Sequence, residues 1–254
     1  MDRASQVVST PDGVRIAVDR YQGEDRTAAV IICPGFFQSK DTATFQRMSQ
    51  TLAVEYDVLA MDFRGHGGST GLYTFSAREG EDLQTVLAFA RERYQRIGLL
   101  GFSMGGAIAI NTVRRLQGAV QSVIVVSAPC AFEEIEFKWW TVEAMRTGTR
   151  GLEVGAGCRP GNPLMPKERP IENIQKLKSL PILFIHGTRD AIVGVEHSRR
   201  LHAAAPQPKR LEIVEGGGHA EALFRDDPER FTRLVREWFT PALSSRPASD
   251  ITTL

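Results

Sequence analysis

The strongest constraint on this fold is an alternation. Short apolar runs recur along the chain, each followed by a stretch whose apolar residues repeat every three or four positions. Ala28–Cys33 reads Ala-Ala-Val-Ile-Ile-Cys, with nothing polar to face water on either side, so a strand made from it must be covered on both faces. Tyr56–Met61, Ile97–Gly101, Val120–Ser127, Ile182–Ile185 and Leu211–Val214 read as further strands. Helical segments are expected from about Asp41, with Phe45, Met48 and Leu52 on one face, and over Arg78–Tyr94, Met104–Leu116 and His197–Ala205. A last one is marked by Phe231, Leu234, Val235 and Trp238. Strand–helix alternation implies βαβ crossovers, hence an α/β fold with a mostly parallel central sheet and helices on both faces. Gln6–Ser9 and Val14–Val18, joined through Pro11-Asp12-Gly13, add an N-terminal antiparallel hairpin at one edge.

The rhythm breaks once. Residues 130–180 carry no strand signal but mix Phe132, Phe137, Trp139 and Trp140 with Gly and Pro, and the stretch is too long for a plain connection. Residues 1–129 and 181–240 are therefore expected to form the core and 130–180 a small cap. The Pro-, Ser- and Thr-rich residues 241–254 are expected to be a flexible tail.

Composition narrows the function. With 31 Lys+Arg against 30 Asp+Glu, the net charge is only +1. A chain built to neutralise a run of phosphates is far more basic, so no nucleic-acid partner is expected. The pairs Arg114-Arg115, Arg199-Arg200 and Lys209-Arg210 read as solvated ends of elements. Cys33, Cys130 and Cys158 cannot all pair and match no zinc or redox spacing. The first residues lack the layout of a secretory signal, and no apolar run approaches the roughly 18 residues of a membrane helix. A reduced, cytoplasmic protein without a membrane span is expected.

The chemistry starts at Gly101-Phe102-Ser103-Met104-Gly105, a G-x-S-x-G pattern. Alone it is weak, but here an apolar strand runs straight in and a small-residue helix start runs straight out. A serine wedged between the two sits on a tight turn that pushes its hydroxyl clear of the sheet. Flanking positions in such a turn have room only for hydrogen, which accounts for Gly101 and Gly105. On these residues the chain resembles a serine hydrolase of the α/β-hydrolase superfamily, over nearly its whole length except the 130–180 insertion and the tail. The resemblance implies Ser103 as nucleophile, an acid after a late strand and a histidine after the last one.

Five histidines allow a choice of base. His66 and His186 precede the candidate acid, and His197 and His202 lie in a predicted helix, where a surface role is expected. His219 follows a strand that ends in Gly216-Gly217-Gly218, a loop able to carry an imidazole over the sheet edge. For the acid, the strand Leu183–Ile185 leads through His186-Gly187-Thr188-Arg189 to Asp190, with Glu133 and Glu134 as runners-up. The oxyanion needs two fixed backbone donors. One is the Met104 amide at the helix N-terminus, where the helix dipole also favours negative charge. The resemblance places the other at Phe36. Pro34 stands where the superfamily more usually has His before Gly, which removes a familiar anchor of that loop but not its amide.

Phe37, Phe132, Phe137, Trp139 and Trp140 are candidates for the substrate pocket. The segment Asp62-Phe63-Arg64-Gly65-His66-Gly67-Gly68-Ser69 reads as a structural turn pinned by Arg and Asp. Cys33 reads as a small packing residue, and Cys130 as a strand-end thiol without a dedicated histidine. No phosphate-binding, dinucleotide-binding or zinc-protease motif is present. The expectation is a serine hydrolase of the carboxylesterase type, acting on small-molecule esters of small to medium acyl or aryl groups without metal or organic cofactor. A nucleophilic serine argues against dehalogenase- or epoxide-hydrolase-like chemistry, which the resemblance associates with Asp at that position. The alternatives are a thioesterase, amidase or C–C bond hydrolase with the same three residues, or a non-catalytic ligand-binding or scaffold protein.

Overall fold

Successive side chains on a strand point to opposite faces of its sheet, so an all-apolar strand needs two cores. The computed structural model, which describes residues 2–23, 26–116, 118–135 and 153–244, supplies both for strand β3 (Ala28–Cys33). Ala29, Ile31 and Cys33 join one buried cluster, while Val30 and Ile32 join the other. Among the described residues the other strands are β1 (Asp2–Ser9), β2 (Arg15–Gln22), β4 (Asp57–Met61), β5 (Arg96–Phe102), β6 (Ser122–Val126), β7 (Ile182–Gly187) and β8 (Lys209–Val214). The eight run in the order β1-β2-β4-β3-β5-β6-β7-β8. β1 pairs with β2 and β2 with β4 antiparallel, whereas β3 to β8 are mutually parallel.

The helices divide between the faces. Side chains of α2 (Glu79–Arg91), α3 (Met104–Val113), α4 (Pro170–Ile174) and α5 (Glu196–Ala204) enter the first core. Those of α1 (Ala43–Leu52), α6 (Ala222–Asp226) and α7 (Pro228–Leu243) enter the second. This is the α/β architecture that the alternation implies, with the hairpin at the edge. None of the described helices is long and apolar enough to cross a membrane.

Several boundaries differ from expectation: β1 begins at Asp2 rather than Gln6, α2 ends at Arg91 rather than Tyr94, β6 is shorter than Val120–Ser127, and β8 begins at Lys209 rather than Leu211. Helix α3 stops at Val113, short of Leu116. Helix α7 runs through Pro241 to Leu243 instead of giving way to a tail, because Leu243 is buried in the second core. Residues 245–254 lie outside the described part.

The chain leaves β3 towards β4 on one side and returns to β5 on the other. At such a reversal the loops beyond the carboxyl ends of the two strands diverge and leave a crevice, the usual ligand position in an open α/β sheet. The Gly-rich segment after β4 braces one side of it. Arg64 is almost fully buried and donates from Nε and Nη2 to Oδ1 of Asp82 at 2.9 and 2.7 Å. Its Nη1 reaches Oδ2 of Asp12 in the hairpin turn at 3.0 Å. One guanidinium thus ties the hairpin, the β4 loop and α2 together.

Replacing Arg64 by Met leaves the fully buried Asp82 carboxylate without its cation, and removing one partner of a buried pair costs about 3–5 kcal/mol. Urea unfolding of the Arg64→Met variant is expected to show a loss of that size. A change below about 1 kcal/mol, the scale of an exposed pair, would remove the bracing role.

Candidate active site

The turn between β5 and α3 holds Ser103 at φ 49° and ψ −116°, a positive φ that a residue with a Cβ adopts only when its surroundings impose it. The surroundings are backbone. A Cβ on Gly105 would lie 2.3 Å from the Cys33 carbonyl oxygen and 2.4 Å from that of Pro34, and one on Gly101 would lie 2.6 Å from Gly106 Cα. The Ser103 amide donates to the Val126 carbonyl at 2.8 Å, which fastens the turn to β6.

The loop after β3 crosses directly over this turn. A Cβ on Gly35 would come 3.3 Å from Ser103 Cβ, and Phe36 is the next residue. Asp62 fixes the far end of the loop: its Oδ1 accepts the Lys40 amide at 2.8 Å and its Oδ2 the Gly68 amide at 2.9 Å. The Phe36 ring stacks on Tyr73 at 4.9 Å, and His66 meets both rings edge-on at 6.0 and 5.0 Å. Burial pushes His66 down to about 4, so it packs there as a neutral ring. On the other side, Met104 opens α3, and its N–H is among the first four of a helix, which have no intrahelical acceptor.

Past β8, Gly216-Gly217-Gly218 carry the chain back to His219. The loop is held by the Arg189 amide on the Gly217 carbonyl at 2.9 Å and by the Ala220 amide on Ser127 Oγ at 3.1 Å. His219 Nδ1 lies 2.7 Å from Asp190 Oδ2. The Asp190 side chain is fully buried, and its Oδ1 accepts the amides of Ile192 and Val193, each at 2.9 Å. His186 Nε2 lies 3.2 Å from the same Oδ2 that faces His219. Burial opposes ionisation of Asp190. The charge of His219 and the hydrogen bonds from His186 and His219 outweigh it and hold the carboxyl well below the usual carboxylate range.

Ser103, His219, Phe36 and Met104 all line one cavity of about 740 Å³. Phe37, Tyr73, Phe75 and Phe132 give it an aromatic wall, and Glu133, Lys167, Arg169 and Glu221 contribute its charged groups. Asp190 stands behind His219 and does not line this cavity. Phe137, Trp139 and Trp140 lie outside the described residues. Tyr73, Phe75, Ile192 and Val193 were not candidates from sequence. Their only signal was closeness to the turns at Asp62–Ser69 and Asp190. Glu133 and Glu134 are engaged by arginines: Glu133 pairs with Arg169 at 2.6 Å, and Glu134 pairs with Arg169 at 3.0 Å and with Arg200. Among the described residues no group of three or more His, Cys, Asp or Glu side chains is placed to hold a metal ion.

Two sequence expectations are corrected here. His197 is not a surface residue, and Cys130 does have a histidine: His197 Nδ1 lies 3.1 Å from Cys130 Sγ and also accepts the Cys130 amide at 3.2 Å. The helical pattern located α5 but not its inward face, which His197 shares with Ser198 and Leu201. Burial pushes the thiol up and the imidazole down, so the pair stays neutral. Cys130 does not line the cavity that holds Ser103.

Comparison with known proteins places this geometry in a wider set. A family model described as serine aminopeptidase, S33, matches residues 24–153. The uncharacterized protein YfhR of Escherichia coli K12 is 28% identical over 173 residues, covering 66% of this chain and 54% of that protein. The match therefore spans about half of that relative's length. The uncharacterized protein Rv2307c of Mycobacterium tuberculosis H37Rv is 30% identical over 246 residues, covering 88% of this chain and 72% of that protein. Among solved structures, the Pyrococcus furiosus esterase Pf2001 superposes with a TM-score of 0.77 at 20% identity, covering 96% of this chain and 93% of its own. The esterase RhEst1 from Rhodococcus sp. ECU1013 has a TM-score of 0.73 at 21% identity, covering 94% and 99%. At such identities the structural likeness speaks to the fold.

The depressed Asp190 carboxyl has a stability signature. A group whose folded-state pKa lies below its unfolded value of about 3.9 stabilises the fold above that pH and loses the contribution as pH falls through the folded value. Asp190→Asn should therefore be less stable than the parent chain near pH 6, with the gap narrowing towards pH 3. Urea unfolding at the two pH values checks this, and a gap that stays constant contradicts it.

Proposed function

Because the chain belongs to the α/β-hydrolase superfamily, in the serine aminopeptidase S33 family, we propose that it is a serine hydrolase cleaving carboxylic esters of small to medium acyl or aryl groups. One observation carries the reading. Ser103, on its strained turn, opens into the same aromatic-walled cavity as His219, whose Nδ1 is held by a buried carboxylate at 2.7 Å.

The mechanism follows from these positions. With Nδ1–H donated to Asp190, the His219 ring keeps Nε2 unprotonated and able to accept a proton. Ser103 Oγ attacks the ester carbonyl carbon as its proton passes to Nε2. The carbonyl oxygen becomes an oxyanion between the amides of Phe36 and Met104, donors whose placement needs no rearrangement during reaction. Collapse breaks the bond to the alcohol oxygen, which takes the proton from Nε2 and departs. Water then attacks the acyl-enzyme, giving its proton to Nε2, and Ser103 Oγ recovers it as the acid leaves. Asp190 stays ionised throughout and stabilises the imidazolium.

The substrate class rests on the cavity wall. Phe36, Phe37, Tyr73, Phe75 and Phe132 offer flat apolar surface beside Ser103, which suits aryl and short acyl groups. Oxygen esters, thioesters and amides differ in the leaving atom, so parallel assays of the three with one acyl group test the ester preference.

Ser103→Ala should abolish turnover of p-nitrophenyl esters and labelling by a fluorophosphonate probe while leaving the unfolding midpoint within a few degrees. Retained hydrolysis would rule out the nucleophile. Asp190→Asn should lower kcat by about 10⁴, as loss of the orienting carboxylate does in serine-protease triads, and a loss below tenfold would point to another acid. Across p-nitrophenyl esters of increasing acyl length, kcat/KM is expected to peak at short to medium chains. A clear optimum at long chains would overturn the substrate class.

A further inference from the structure

Asp190 carries more donors than a triad acid needs. Its Oδ1 takes two backbone amides and its Oδ2 faces two imidazoles, His219 Nδ1 at 2.7 Å and His186 Nε2 at 3.2 Å. A carboxylate offers about four lone-pair sites, and three take hydrogen bonds while His186 stands beside the fourth. His186 is the penultimate residue of β7 and is fully buried. Its Nε2 also lies 2.8 Å from the Val193 carbonyl oxygen, and its Nδ1 lies 2.6 Å from Ser198 Oγ on α5. The carboxylate and the carbonyl are both acceptors, so Nε2 bears a hydrogen, which bonds the Val193 carbonyl at 2.8 Å with Asp190 Oδ2 3.2 Å away. Nδ1 and the Ser198 hydroxyl are hydrogen-bond partners, the hydroxyl being able to donate or accept. Contacts to the Asp190 turn, the Val193 backbone and helix α5 leave this ring a single orientation.

We propose that His186 is a positioning residue for the hydrolytic site: its Nε2–H fixes the Oδ2 of Asp190 that receives His219. The inference rests on the Ser103–His219–Asp190 reading above. The physical need is specific. Two amides hold Oδ1, but a carboxylate anchored through one oxygen can still tilt the other out of the plane of the His219 ring. A second imidazole at Oδ2 restricts that freedom. Val193 couples the two halves of the arrangement, since its amide binds Oδ1 while its carbonyl accepts from His186. Any shift of the ring is therefore felt at both oxygens. Misplacement of about 1 Å at a reacting group can cost 10²-fold in rate, so a ring that touches no substrate can still govern turnover.

The test uses the whole chain, with p-nitrophenyl acetate as substrate and active sites counted by fluorophosphonate titration. His186→Phe keeps a ring of similar size and removes both nitrogens. It should lower kcat per titrated site by about tenfold or more, with KM within about twofold, because misplacement acts on the reacting geometry and not on substrate binding. His186→Gln returns an N–H near the position of Nε2 and should recover kcat to within about threefold of the parent. A ring that only fills space would change the yield of folded protein or its unfolding midpoint, but not kcat per titrated site. Parent-like kcat per site in His186→Phe overturns the proposal, as does a His186→Gln variant no better than His186→Phe. If His186→Phe yields no folded protein, Ser198→Ala takes its place. It removes the partner of Nδ1, frees the ring to turn and should lower kcat about three- to tenfold, and an unchanged kcat then overturns the proposal. Ser103→Ala and His219→Ala separate the two levels. Activity in either defeats the reading of the site itself, whereas two inactive variants beside a parent-like His186→Phe defeat only the role of His186.

Discussion

The structure turns on a place where two strands' ends come too close for side chains. The loop after β3 and the turn after β5 touch backbone to backbone, and Gly105 sits where a Cβ would overlap the carbonyl oxygens of Cys33 and Pro34. Close packing permits this only with hydrogen at the contact. The same approach forces Ser103 into its positive φ and draws Phe36 alongside it. The nucleophile candidate and the amide candidate beside it are thus two consequences of one contact between the parallel neighbours β3 and β5.

Around that contact, buried charge serves as scaffolding. Asp62 gathers amides from the loops after β3 and β4, Arg64 joins the hairpin turn to α2, and Asp190 gathers donors from its own turn, from β7 and from the loop after β8. Each ion is fully or almost fully buried and also hydrogen-bonded, the condition under which a buried charge is tolerated. Such groups specify geometry, because an alternative packing would leave a charge without partners. Loops that would otherwise be soft are in this way held around the cavity.

The contrast between His186 and His197, both buried and both at hydrogen-bonding distance from an acidic group, is chemical. His186 faces a carboxylate that is part of the proposed machinery, while His197 faces a thiol that is not. Burial disfavours both the thiolate and the imidazolium in the second pair, so proximity alone does not activate it.

Much of this was readable in the chain. Runs such as Ala28–Cys33 require cover on two faces, whatever the sequence elsewhere, so periodicity was enough to give a mostly parallel sheet, its helices and the edge hairpin. The glycines at 101 and 105 announced a turn with no room for side chains, and Gly216-Gly217-Gly218 announced a loop delivering His219. What pattern does not carry is direction in space between distant segments. His186 precedes the acid in the chain, which argues against it as base, yet β7 ends so that its ring and that of His219 both reach one oxygen of Asp190. A helical pattern offers His197 an outward face as readily as an inward one, and only the packing of α5 on the sheet selects the inward one. Local sequence fixes how each element is made, since its causes act between near neighbours. Which side chains meet across the ends of β6, β7 and β8 is decided by sheet order and helix rotation, and those exist only once the whole core has closed.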